Sequence, residues 1–443
     1  MRKIILHVAI GLFFYANSFG QTNPLITSWQ LNTTGATGYM GYTTNVKQVL
    51  YSATSVYIKT NDIADYIPVN AGNGMGQVDW WPNNPWFPDS MGYTFRFRLN
   101  PTPNTGVPRK PPYGHVGVWR NGVSIYSPLD AKSYNNDTTW FQNAFFWEHL
   151  LLETFDSCWG HPNGSKEYHT HQSPACVYDQ TDSLNHSPII GFAFDGYPIY
   201  GCYGYANTNG TGAIKRMRTS YRLRNIAART TLPDGTVLPP SLYGPIVDPS
   251  ATNIPPNNQS PVGAPLGAYQ EDYEYIAGLG DLDDHNGRFC ITPEYPSGIY
   301  AYFVTLDSTL TPVFPYALGL TYYGTIIQQD GNMGPNSGFV TINETVTNYI
   351  PATTAIEQTK IEIEFEVYPN PASDQITFLL KSNDFTSVMK GEIYNQNGKL
   401  VISGDVNTNR NYAFNTSNLE AGVYFLKITT DNKIYSTKFI VTK

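Results

Sequence analysis

The chain has 443 residues and a net charge of −8, with only 14% charged side chains and no basic run, which argues against a nucleic-acid partner. Its 33 tyrosines, 38 glycines and 32 prolines favour short strands and many turns over long helices. The first residues are Met1, Arg2 and Lys3, followed by an apolar run over 4–16 broken only by His7, then small Ser18 and Gly20. That pattern reads as a secretory signal peptide over 1–20, with a core too short to anchor in a bilayer. No later segment is apolar for long enough to span one, so the mature chain is expected to carry no transmembrane segment.

Residues 21–345 keep one texture: short aromatic and β-branched runs broken by Gly, Pro and Asn. Strands are expected at 56–59, 94–99, 115–119 and 299–305. A helix is expected over 140–155, although its apolar residues are too continuous for a clean stripe, and a weaker helical piece over 221–229. The Pro/Gly/Asn-rich stretch 232–266 reads as a long surface loop. At 346–360 the composition shifts to that of a linker. From 361 to 443, polar and apolar residues alternate between regular turn signals, the pattern of a small β-sandwich. The expected fold is therefore mainly β: a β-rich first domain with one or two helices, then a C-terminal β-sandwich.

The chemistry concentrates between 158 and 205, which holds four of the eight histidines: His161, His169, His171 and His186. His169 and His171 are two apart, so on a strand they project from one face with Cα atoms roughly 6.5 Å apart. The turn formers between 162 and 167 return the chain so that His161 joins them. Three imidazoles so gathered suit a divalent transition metal, zinc or copper, with a fourth position for water or for a carboxylate such as Asp156, Asp195 or Glu148. His285 is the best further ligand outside this cluster. The competing reading has the histidines bond to carbonyls and Tyr hydroxyls within a tied loop. His115 and His186 read as structural, and His149 as a residue of the expected helix.

The four cysteines, Cys158, Cys176, Cys202 and Cys290, are even in number in an exported chain, so two disulfides are expected. Cys158 with Cys176 is preferred, because it staples the histidine loop; no CxxC pair supports a thiolate zinc site. The carboxylates at 280–287 depart from an EF-hand loop and read better as a turn that caps its own backbone. No nucleophile elbow, phosphate loop or dinucleotide fingerprint is present, and no catalytic residue is assigned.

Two resemblances follow from motifs. Val367 to Asp374 (VYPNPASD), Ile393 to Lys399 (IYNQNGK), Leu419 to Ile428 (LEAGVYFLKI) and the final strand to Lys443 make 361–443 similar to the type A sorting domain of the type IX secretion system. The positions that carry the likeness are Tyr368, Pro369, Asn370, Pro371, Gly398, Gly422 and Lys443. It implies Sec passage, export across the outer membrane by the type IX machinery, and attachment to surface polysaccharide. The central domain resembles the YHYH family through Tyr168-His169-Thr170-His171, where Thr170 replaces the second Tyr, with support from 160–162, 187–201, 265–275 and 282–288. That family implies no settled activity. A weak internal likeness also links 161–171 to 285–303, a hint of duplication in which one half retains a ligand set. The expected function is thus an exported surface or extracellular protein that binds a metal ion or small ligand. The alternatives are a metal-dependent extracellular hydrolase or oxidase, or a structural, adhesive protein without metal.

Overall fold

The computed structural model describes residues 23–67, 80–81, 83–151, 153–251, 261–327, 331–334, 336–351, 365–380, 389–406, 412–429 and 434–443. The expected signal peptide, 1–20, and linker residues 352–360 lie outside the described residues. The protein is mainly β and divides into two compact units, 1–351 and 352–443. Among the described residues, no helix is long and apolar enough to cross a membrane.

The first unit is organised by an eight-stranded sheet. Its strands in chain order are β1 (His115–Trp119), β2 (Ser124–Tyr126), β3 (His161–Pro162), β4 (Tyr168–Thr170), β5 (Ile189–Ala193), β6 (Pro198–Tyr200), β7 (Gly287–Cys290) and β8 (Ile299–Phe303). In space they run β7-β8-β6-β5-β1-β2-β4-β3. A smaller sheet, built on Val46–Tyr51, Ser55–Thr60 and Tyr93–Arg98, packs its inner face on this one. Tyr93, Phe95 and Phe97 alternate inward, while Thr94, Arg96 and Arg98 do not; the period of two selects the buried face.

The spatial order conceals a repeat. Hairpin β1–β2 is followed, after an insertion, by hairpin β3–β4, and β4 pairs in parallel with β2. Hairpin β5–β6 is likewise followed by hairpin β7–β8, and β8 pairs in parallel with β6. The details match residue for residue. Asp156 Oδ1 accepts the N–H groups of Cys158 and Gly160, and Asp283 Oδ1 accepts those of His285 and Gly287. The Tyr168 hydroxyl donates to Asp156 at 2.7 Å, and the Tyr300 hydroxyl to Asp283 at 2.8 Å. In the first hairpins, Asn121 and Asp195 hold the turns at Gly122 and Gly196, whose φ values of 87° and 90° suit glycine. The hinted duplication is thus present in the fold, but in a different register. His285 answers to Cys158, and His161, His169 and His171 answer to Arg288, Ala301 and Phe303.

Several expected elements differ. The apolar run 140–155 forms a short strand, Phe141–Asn143, and then a π-helix, Phe145–Leu151. Its large side chains serve two cores, Trp140 and Trp147 packing with Tyr269 and Phe145 with Tyr316, so no single helical face is buried. The piece at 221–229 begins as a strand, Tyr221–Leu223, paired with Tyr273–Tyr275, and Arg229 is buried on Asp272 at 2.7 Å. Within 232–266, Ile246–Val247 pairs with Gly263–Ala264 and Leu238 is buried, so this stretch is more than a surface loop. Thr347–Asn348, expected in the linker, pairs with Tyr51 and Leu50.

Among the described residues, the second unit has two sheets, of three and four strands, closing on Ile376, Phe378, Ile393, Phe414, Leu426 and Phe439. The polar and apolar alternation of Gly422–Thr429 supplies one inner face. Tyr368 ends a strand, and the Asn370 carboxamide accepts the Ile440 N–H at 2.9 Å, tying the Pro369–Pro371 corner to the final strand. Gly398 takes φ 74° in the turn that Asn395 caps.

Candidate metal centre

The histidines are placed by the β3–β4 hairpin at one edge of the large sheet. His161 and His169 are direct partners across it, with ring centroids 4.7 Å apart. His171 follows on the same face as His169, at 5.0 Å. The connecting turn is local chemistry: Asn163 Oδ1 accepts the Ser165 and Glu167 N–H groups, and Lys166 takes φ 66°. Cys158 and Cys176 form a disulfide beside this segment.

Each ring is fixed by its Nδ1. His171 Nδ1 meets the Ser127 carbonyl at 2.6 Å and His169 Nδ1 the Glu167 carbonyl at 3.3 Å. Carbonyls only accept, so both nitrogens carry the proton. His161 Nδ1 meets Thr154 Oγ1 at 2.9 Å, and that hydroxyl already donates to the Glu148 carbonyl at 2.8 Å, so it too accepts from the ring. All three Nε2 atoms are therefore left with lone pairs.

Those lone pairs converge. The three nitrogens that the histidines offer lie within 4.8 Å of one another, and His169 and His171 Nε2 are 3.2 Å apart. Glu148 Oε2, from the π-helix, lies 3.3 Å from His161 Nε2 and 3.2 Å from His171 Nε2, but neither contact is a hydrogen bond. Two nitrogens held about 2.1 Å from one tetrahedral ion would be about 3.4 Å apart, close to this spacing. A proton on His171 Nε2 is shared with His169 but leaves His161 Nε2 and Glu148 Oε2 without a partner; a cation among them serves all four atoms.

The electrostatics bear out the crowding. Burial and the neighbouring rings of His161 and His171 hold His169 well below the ordinary histidine range. Burial works against a charged His171, yet the Glu148 carboxylate and the Ser127 carbonyl carry its pKa above the usual value. Burial would raise Glu148, but His161 and His171 outweigh it and hold the carboxyl well below its usual range. The three histidines and Glu148 line a cavity of about 480 Å³ whose wall also includes Trp86, Tyr113, Tyr126 and Asn163. Tyr126 stacks on His169 at 3.9 Å and donates to Glu167 at 2.7 Å; Glu167 also bonds the wholly buried His115.

This hairpin lies within residues 94–314, which match the family model described as YHYH protein. Residues 366–442 match the secretion system C-terminal sorting domain. The chain is a YHYH protein with a type IX sorting tail. No curated protein matches it. The tail marks the protein for export to the cell surface or the extracellular space.

The YHYH motif residues fall in distinct roles: Tyr168 locks the hairpin to Asp156, His169 and His171 face the cavity, and Thr170 accepts the Trp119 indole N–H at 2.7 Å. Three residues expected as further ligands are used elsewhere. The Asp156 carboxylate is taken by Tyr168, Trp80, Trp81 and two backbone amides. Asp195 is held by Tyr302 and Gly324 in the second half of the repeat, and His285 Nδ1 bonds Thr321. Of the carboxylates considered, Glu148 is the one brought to the histidines. Cys202 and Cys290 are free and buried, in separate core clusters, so the expected second disulfide is not formed. In the second half, Phe303 stacks on Tyr200 and the Arg288 guanidinium lies over Phe303, so packing occupies the positions that answer to the histidines. Thr154, Ser127 and Tyr126 were not anticipated; Ser127 and Tyr126 reach the hairpin from 44 and 41 residues away, and Thr154 matters through a hydroxyl that residue type does not mark.

Proposed function

We propose that the exported YHYH domain binds a divalent transition metal through the Nε2 atoms of His161, His169 and His171, with Glu148 Oε2 as a fourth donor. Zinc or copper suits three imidazoles with one carboxylate. The observation that carries this reading is the meeting of four acceptor atoms in a buried site with every Nδ1 already committed to an oxygen. A Lewis acid held there polarises a bound oxygen or lowers the pKa of a bound water. The cavity gives room for a small ligand on the open side of the donor set. The test is titration of the purified chain with Co²⁺, whose visible bands report ligand number. A single saturating site, lost in His161→Ala, His169→Ala and His171→Ala, is expected; unchanged bands in all three variants would remove the proposal.

The cavity also favours a second reading, a metal-dependent extracellular hydrolase or oxidase. On that reading His169→Ala abolishes turnover on a substrate panel as well as metal retention. A chain that takes up no metal leaves the adhesive or structural role. We further infer that Sec delivers the chain to the periplasm, that the type IX machinery carries it out, and that surface polysaccharide anchors it after tail removal.

A further inference from the structure

A second cavity, of about 270 Å³, adjoins the first and shares Tyr113 and Leu129 with it. Its walls are mostly apolar, with Pro111, Pro112 and Pro128 and with Phe141 set edge-on to Tyr113 at 6.0 Å, while the exposed Lys110 and the half-buried Gln270 also line it. A cavity of about 150 Å³ admits benzene, so this one has room for a substituted single ring. Most hydroxyls of a sugar would meet proline and aromatic carbons and go unpaired, which favours a ring with a single polar group over a saccharide.

One acid interrupts the apolar wall. Glu271 accepts the Phe141 N–H on Oε2 at 2.8 Å, and burial pushes its pKa up to about 8. At neutral pH it is a carboxylic acid with an O–H to donate, suited to an oxygen acceptor on the ligand. Ser127 also lines this cavity, and its carbonyl is the group that orients His171 at 2.6 Å.

We propose that this cavity is a separate ligand site for an uncharged, single-ring aromatic compound bearing an oxygen acceptor, and that its occupancy is felt at His171 through Ser127. The site stands on its own walls; only the coupling rests on the metal reading. The experiment uses the full chain, chelator-treated and Co²⁺-loaded, with acetophenone as probe and methyl glucoside as control, read by calorimetry and visible absorption. Expected are a Kd below about 1 mM for acetophenone in both forms, no binding of the glucoside, and a shift of the cobalt bands on saturation. Leu320 also lines this cavity; Leu320→Trp, which fills it, should abolish binding, and Glu271→Leu should weaken it about tenfold. Absence of acetophenone binding in the chelator-treated chain overturns the site and leaves the metal reading standing. Unchanged affinity in both variants overturns it as well. Binding without a cobalt shift overturns the coupling. Should the chain take up no cobalt, the metal reading fails while the chelator-treated arm still decides the site.

Discussion

Thr154→Val is the sharpest probe of how the histidine rings are poised. The hydroxyl accepts from His161 Nδ1 at 2.9 Å and donates to the Glu148 carbonyl at 2.8 Å, so one small group fixes the tautomer of one donor and steadies the backbone of another. Valine keeps the shape and removes both bonds. A buried N–H without an acceptor costs about 1–3 kcal/mol, and the imidazole avoids that cost by moving its proton to Nε2. Binding a metal then requires the proton to move back. Loss of such an orienting partner weakens metal binding about 10–100-fold. The assay is zinc competition against a chromophoric chelator at fixed pH, with imidazole ¹⁵N shifts of the metal-free chain to identify the tautomer. The expected result is weaker zinc binding together with an Nε2–H ring at His161, both reversed in Thr154→Ser. Zinc affinity within about threefold of the parent, with the Nδ1–H tautomer retained, would refute the reasoning.

Glu148→Gln keeps the size of the fourth donor and removes its charge; zinc affinity should fall at least about tenfold, and the His171 titration seen by NMR should move toward lower pH. In the metal-free chain, His171 is raised by Glu148, so its contribution to stability is full below the ordinary histidine pKa and is lost as pH rises through the raised value. Zinc binding needs the bare nitrogen and strengthens over that same interval. Thermal melts should therefore show a zinc-induced rise in Tm that grows with pH across it; a rise that shrinks would contradict the assignment. Glu271 is raised from 4.5 to about 8, so the folded chain holds its proton longer and stability should fall as pH climbs between those values. Glu271→Gln should flatten that part of the melt profile. A chain ending at residue 351 should fail to reach the cell surface, as judged by protease accessibility on whole cells; surface display without residues 366–442 would contradict the assigned role of the tail.

The histidine hairpin was legible because its signal is local: a period of two places His169 and His171 together, and turn formers return His161. Its partners were not. Glu148 sits in an apolar run that reads as an ordinary helix, and only the π-helix beginning at Phe145 brings its carboxylate to the histidines. Ser127 and Thr154 matter through a carbonyl and a hydroxyl, and nothing in residue type marks them. The repeat was half visible. Glycine turns drew His285 opposite His161, whereas the Asp156 and Asp283 bonding patterns align Gly160 with Gly287. Parity suggested two disulfides, yet Cys202 and Cys290 behave as small apolar residues of separate clusters. In the sorting tail, alternation and the Asn-Gly turn marked the hairpins between strands adjacent in sequence, whereas the pairings of Gln375–Leu380 with Tyr412–Asn415 and of Met389–Asn395 with Gly422–Thr429 cross the sequence and carry no local signal.

The most direct test of the metal centre is a crystal structure of the full chain, purified without chelator, with anomalous scattering recorded at the zinc and copper edges. One peak about 2.1 Å from the Nε2 atoms of His161, His169 and His171 and beside Glu148 is the expected result. Density free of any such peak after soaking in either metal, with His161 turned from the cavity or the rings closed on a shared proton, would contradict it.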